Sequence, residues 1–213
     1  MPPNTTIDFS TTIDFSDAHQ DRSKKTLEDL LEAAYNIVEA AEPMAFNSRN
    51  LSDKSGYALG TLNKRLGPIE NVFVWAIERG RERMLNNVIE VITQFDPLSP
   101  IHVFAAKVVD EAFNAIGTVG PSVMRYYEGK VIKRDGFIIE SLNFTDVFVE
   151  PYLAMVNANR TNTFRKISLE EARLLLKVMQ NLVERPFIND DTIAGTPEHR
   201  RISIDGLIRI LGQ

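Results

Sequence analysis

Between Ser48 and Arg65 the chain gathers side chains that make directional hydrogen bonds: Ser48, Arg49, Tyr57, Thr61, Asn63, Lys64 and Arg65. Their chemistry is recognition, not bond breaking. Arg and Lys neutralise phosphate, Asn presents a donor–acceptor pair that matches an adenine edge, and a Thr hydroxyl reaches a base or a phosphate. Gly60 removes a side chain where a backbone has to come close. The same residues also suit a merely solvated face, and Tyr57 could fill a turn, so the elements carrying them decide between readings. Groups for catalysis are thinner. His19, His102 and His199 are far apart and lack metal-ligand spacing. There is no Walker-type glycine loop, nucleophile elbow or HExxH. The chain has no cysteine, which excludes disulfides and thiolate–metal sites. The expectation is a protein that is not an enzyme, with no metal and no cofactor.

The elements around that segment are helical. Leu27, Leu30, Leu31, Ala34, Ile37, Val38 and Ala41 recur on one helix face, with Thr26 as the expected N-cap and Pro43 as the stop. A short helix capped by Asn47 or Ser48 follows, then Ser55-Gly56 and a second short helix over Ala58 to Leu66. Two short helices joined through a Gly-containing turn form a helix-turn-helix, whose second helix fits a DNA major groove. Leu62 and Leu66 should face the core, leaving Leu59, Gly60 and Thr61 toward the groove. Gly67-Pro68 breaks the pattern, and Pro68 suits the first turn of a helix reaching Phe95, roughly 40 Å long.

Beyond Asp96-Pro97 the pattern stays helical. Ser99-Pro100 should open one helix, residues 121–135 a second, and the apolar run Phe137 to Asn159 is read as helix because it holds no hairpin signal. Ser168 with Glu171 makes a capping box for a helix expected to stop by Pro186, and Thr196-Pro197 opens the last. The fold class is all-α, with about nine helices: residues 1–21 a mobile arm containing TTIDFS twice, 22–67 the helix-turn-helix domain, 68–213 a helical body. At 44% hydrophobic residues the chain can bury a core. No apolar run is long enough for a membrane span and no signal peptide is visible, so a cytoplasmic location is expected.

Net charge is −5, which is not the basic footprint of most nucleic-acid binders. The distribution matters more, since residues 1–21 carry four acids and no base, and residues 22–65 seven bases against six acids.

This order of pieces resembles the TetR family of dimeric transcription regulators. The residues carrying the likeness are TLEDLLEAA from Thr26, then Leu51-Ser52, Gly56, Ala58, Gly60-Thr61-Leu62, Leu66, Glu70 and Val72. Two positions depart from the family pattern: Asn63 stands where an aromatic is usual, and Ile69 where a Lys usually opens helix 4. The resemblance implies a homodimer on a palindromic double-stranded DNA operator, with Ser48, Arg49, Tyr57, Leu59, Gly60, Thr61, Asn63, Lys64 and Arg65 at the DNA. It implies a repressor released by a small, partly hydrophobic effector. Phe104, Met124, Tyr127, Phe137, Phe144, Phe148 and Tyr152 either pack a core or line a cavity for that effector. Leu175, Met179, Leu182, Ile202, Leu207 and Ile208, on the last two helices, would form the dimer interface or be buried within one chain. The alternative is a helical dimer of the same fold that has lost specific DNA binding and acts as a small-molecule or protein-binding module.

Overall fold

Periodicity of apolar residues decides nearly every element of this chain. The computed structural model describes residues 21–40, 43–66, 68–131 and 144–213, so the TTIDFS repeat and Phe137 lie outside the described residues. Nine α-helices stand among the described residues: α1 (Asp21–Ala40), α2 (Ser48–Ser55), α3 (Leu59–Leu66), α4 (Ile69–Thr93), α5 (Ile101–Val119), α6 (Pro121–Val131), α7 (Val149–Ala158), α8 (Leu169–Asn189) and α9 (Pro197–Leu211). Short 3-10 turns at Pro43–Ala45 and Phe144–Phe148 precede α2 and α7.

Two compact units result, one ending at Arg81 and the other beginning at Glu82. The division falls inside α4, whereas the sequence put a domain border at residue 67. Its cause is the first half of α4, where Val72, Phe73, Ala76 and Ile77 are buried and Phe73 stacks on Phe46 with ring centroids 4.9 Å apart. Those residues extend the core of α1–α3. That core takes Leu30, Leu51, Leu62 and Phe73, each no more than 1% exposed and each from a different helix. With 25 residues at about 1.5 Å each, α4 is about 38 Å long.

The second unit buries Val88 and Ile92 of α4, and Phe95 just after it, with apolar faces of α5, α7, α8 and α9. Phe95, Phe104 and Phe164 meet edge-on, with centroids 5.2 to 6.1 Å apart. Edge-to-face geometry sets the positive ring rim against a negative face. Backbone pairing fixes the chain end here: Arg165 N–H donates to the Leu211 carbonyl at 2.8 Å, and Gln213 N–H to Thr163 at 3.0 Å.

Several helix ends follow the sequence and others correct it. Ser168 accepts from the Glu171 N–H, and Thr196 from the His199 N–H, each at 3.2 Å, as their capping patterns require. In contrast, α1 begins at Asp21, so Thr26 lies inside the helix; the polar run before it is helix-compatible and supplies no stop. Ser99 does not cap α5. Its hydroxyl donates to Asp96 at 3.0 Å, and Thr163 Oγ1 accepts the Ile101 N–H at 3.0 Å from 62 residues away.

The largest correction concerns Pro186, which was expected to end α8, yet the helix runs on to Asn189. Proline has no N–H to give the carbonyl four residues back, that of Leu182. His199 of α9 meets that carbonyl through Nε2 at 3.2 Å. Its Nδ1 accepts the Gly195 N–H at 3.2 Å, so both contacts are satisfied by the tautomer with the proton on Nε2. Gly206 lets the two helices approach: a Cβ there would lie 2.5 Å from Leu182 Cδ2. Past the proline, Asp190 takes the left-handed conformation (φ 62°), and Asp191 N–H donates to the Pro186 carbonyl at 2.9 Å. Together these contacts make a Schellman-type stop with Asp in the place usually taken by Gly.

Candidate functional site

In the first unit the helix-turn-helix is built from short-range hydrogen bonds. Asn47 caps α2, its Oδ1 accepting the Asn50 N–H at 3.0 Å, and Asn50 Nδ2 donates to the Ala45 carbonyl at 3.0 Å. The helix ends at Gly56, whose φ of 74° is a left-handed conformation that glycine adopts without a Cβ penalty. Gly56 N–H closes on the Ser52 carbonyl at 2.9 Å. Ser52 Oγ donates forward to the Tyr57 carbonyl at 2.7 Å, so one serine holds both sides of the turn. Tyr57 points its hydroxyl back to Asp29 of α1, donating at 2.8 Å. Between groove contact and turn filling, Tyr57 is therefore engaged within the trio.

Across that turn, Leu51 and Leu62 are buried while Arg49, Leu59 and Gly60 are exposed and Ser48 and Thr61 half-buried. Leu59 is 48% exposed at the start of α3, which leaves an apolar side chain on the outer face. The side chains of Asn63, Lys64, Arg65 and Leu66 lie outside the described residues. What the described part offers is a short helix with a small-residue N-terminal turn, held at a fixed angle by its partner. Such a helix can enter a groove and set hydroxyl and backbone groups against base edges and phosphates.

The second unit contains a cavity of about 100 Å³. Met84, Leu85, Val88 and Ile92 of α4 form one wall, Phe104, Val108, Ala112 and Ile116 of α5 another. Phe148, Tyr152, Met179, Val183, Leu207 and Leu211 close it. Polar lining residues are few: Thr145, Tyr152, Gln180 and Glu184. Gln180 Nε2 donates to Glu184 at 2.8 Å. Burial pushes the Tyr152 phenol well above its ordinary range, with the positive charge of Arg165 pulling weakly the other way, so its hydroxyl keeps its proton.

Of the expected effector residues, Phe104, Phe148 and Tyr152 line this cavity. Met124 and Tyr127 on α6 are not among its lining residues, Tyr127 being buried elsewhere in the unit. Phe137 and the Phe144 side chain lie outside the described residues. Sequence reasoning missed Thr145 and the α4 wall. A usable signal was present on α8, where Gln180 and Glu184 interrupt an otherwise apolar face carrying Leu176, Met179 and Val183.

Among the residues expected at a dimer interface, Met179 and Leu207 are buried at 5% and 4% exposure and line the cavity, so they face inward. Leu175, Leu182 and Ile208 are half-buried against the same core. Ile202 is 36% exposed, and the most exposed apolar side chains of α8 are Leu174 at 67% and Val178 at 51%. Leu174 and Val178 sit one helical turn apart on the exposed side of α8, turned away from the buried Met179. Among the described residues no group of His, Asp or Glu side chains is arranged to hold a metal, and no helix is long and apolar enough to cross a membrane.

No family model matches the chain, and no curated protein matches it in sequence. Solved structures do. A proposed TetR-family transcriptional regulator from Mesorhizobium loti aligns over 91% of this chain and 100% of its own, at 10% identity and a TM-score of 0.66. The multidrug binding protein EbrR, crystallised with imidazole, aligns over 92% of this chain and 95% of its own, at 13% identity and a TM-score of 0.57. A proposed fatty acid metabolism regulator from Clostridium perfringens aligns over 84% of this chain and 96% of its own, at 15% identity and a TM-score of 0.55. With its helix-turn-helix, its long α4 and its all-helical second unit, the chain has the fold of TetR-family transcriptional regulators.

Proposed function

We propose that this chain is a DNA-binding transcriptional regulator that acts as a homodimer on a palindromic operator and is released from it by a small, partly hydrophobic effector. The observation that carries the reading is the braced helix-turn-helix: α2 and α3 joined at left-handed Gly56, locked by Ser52, and tied to α1 through Tyr57 and Asp29. Fold alone does not fix function. A groove-sized helix whose entry angle is held by side-chain hydrogen bonds supports a DNA-reading role directly. Thr61 and Gly60 approach the bases in this reading, and Arg49, Lys64 and Arg65 neutralise phosphates. The cavity supports the effector role. One continuous helix, α4, carries cavity wall in its second half and first-unit core in its first half. An effector that prefers one arrangement of the second unit thereby biases how the dimer presents its two reading helices. Leu174, Val178 and Ile202 are apolar groups that a two-fold partner would cover.

The decisive experiment measures binding of the purified protein to DNA upstream of its own gene, with unrelated DNA as competitor, across a series of salt concentrations. Competitor-resistant binding is expected, with Lys64→Ala and Arg65→Ala each lowering the log–log salt slope by about 1. Weak binding, equal on both DNAs and lost at moderate salt, would refute the operator role. It would leave the helical binding module, a reading that Asn63, Ile69 and the net charge of −5 favour.

A further inference from the structure

Three hydroxyls among the described residues of the second unit are buried without partners, those of Thr145, Tyr152 and Ser203. The first two share one cavity, whereas Ser203 does not line it. Tyr152 is 0% and Thr145 1% exposed, and neither hydroxyl oxygen has a hydrogen-bond partner among the described residues. Both residues line the cavity, Thr145 from the 3-10 turn before α7 and Tyr152 from α7 itself. Buried polar groups in natural proteins are nearly always paired, so two unpaired hydroxyls in the wall of one cavity point to a group that arrives from outside the chain. The remaining wall limits what that molecule is. No Lys, Arg or His belongs to the described lining, and its one acidic residue is Glu184. A carboxylate or phosphate buried there would lose its water and gain no positive partner. The tyrosine, its ionisation suppressed by burial, is a neutral donor and acceptor. The volume of about 100 Å³ is below the roughly 150 Å³ of an engineered apolar cavity that binds benzene, so the molecule is no larger than about one ring.

We propose that the cavity takes a compact, uncharged, mainly apolar molecule carrying one hydroxyl or carbonyl oxygen, which pairs with the hydroxyls of Tyr152 and Thr145. This rests on the effector reading above and gives that effector a chemical class.

The test titrates the full-length protein calorimetrically with phenol, benzene and benzoate as size-matched probes. Tyr152→Phe, Thr145→Val and the double variant remove the hydroxyls while keeping the shape of the wall. The native protein should bind phenol about five- to tenfold more tightly than benzene, as one net hydrogen bond allows, and should not bind benzoate. The double variant should bind benzene unchanged and reverse the order, because the phenol hydroxyl would then be buried unpaired. Unchanged melting of the variants shows that the hydroxyls hold no structural role. Equal binding of benzene and phenol, or a preference for phenol that survives both substitutions, overturns the assignment of Tyr152 and Thr145 and leaves the cavity as an effector site. Binding of benzoate above phenol overturns the exclusion of anions. Binding of none of the three removes the effector site itself, and the assignment with it.

Discussion

Filling the cavity tests structure and function with one substitution. Ala112 lines it from α5, and Ala112→Leu adds three carbons on that wall. At about 0.8 kcal/mol per buried carbon group, the burial comes to about 2.4 kcal/mol. The void gives the same figure independently: about 24 cal/mol per Å³ over 100 Å³ is about 2.4 kcal/mol. Imperfect fit takes back about 1 kcal/mol, the lower end of the usual cost of overpacking. A net gain of about 1–2 kcal/mol should therefore appear, raising the melting temperature by about 2–8 °C for a chain of this length. Thermal unfolding followed by circular dichroism reads this directly, with urea midpoints as an independent check. The same variant should hold DNA as the native protein does and no longer be released by effector, since its space is taken. A loss of stability beyond about 1 kcal/mol would refute the reasoning, because overpacking of that size means no void exists at Ala112. So would undiminished effector release.

Other expectations follow from the same contacts. Gly56→Ala meets no atom within 4 Å of the new Cβ, so its cost is backbone strain alone; unfolding should show a loss of about 1–2 kcal/mol, and a neutral result would mean the turn readily takes another conformation. His199→Leu leaves the Leu182 carbonyl and Gly195 N–H unmatched and should cost about 2–4 kcal/mol. Pro186→Ala supplies the missing N–H, so the same histidine substitution should cost about 1 kcal/mol less in that background, measured as a double-mutant cycle; strict additivity would show the two residues to be independent. Leu174→Glu with Val178→Glu places charge on the exposed face of α8 and should give monomers in light scattering at concentrations where the native chain is dimeric. An unaltered mass would move the interface elsewhere.

The sequence made the helices legible because their apolar periodicity, caps and glycine–proline breaks are local. Thr196-Pro197 and Ser168 behave as written for that reason. What it concealed was non-local. Thr163 completes α5 from 62 residues away, and His199 carries α8 through a proline that should have ended it. Neither partner is inferable from the helix it serves. In the helix-turn-helix the Asn47 cap and the Gly56 turn were legible because they are local, whereas the Tyr57 hydroxyl's choice of Asp29 depends on how α1 packs. The cavity was visible only as a supply of aromatic and methionine side chains: which of them line it depends on which helices surround it. Helices α5 and α7 supply Phe104 and Tyr152, whereas no described residue of α6, the helix of Met124 and Tyr127, is in the wall. Helix phase explains why Met179 and Leu207, apolar residues on amphipathic helices, turned inward.

The bond from His199 to the Leu182 carbonyl bears on the order in which the chain folds. By itself α8 cannot finish: past Leu182 its ladder lacks a rung, and an isolated α8 would fray from that point. The missing donor lies only 17 residues further on, so the loop that must close to supply it is short and cheap to form. Helices α8 and α9 should therefore form as one cooperative hairpin, early relative to contacts of larger sequence separation. In native-state hydrogen exchange, the amides after Pro186 and those in the second turn of α9 should open together, as a single unit with a single free energy.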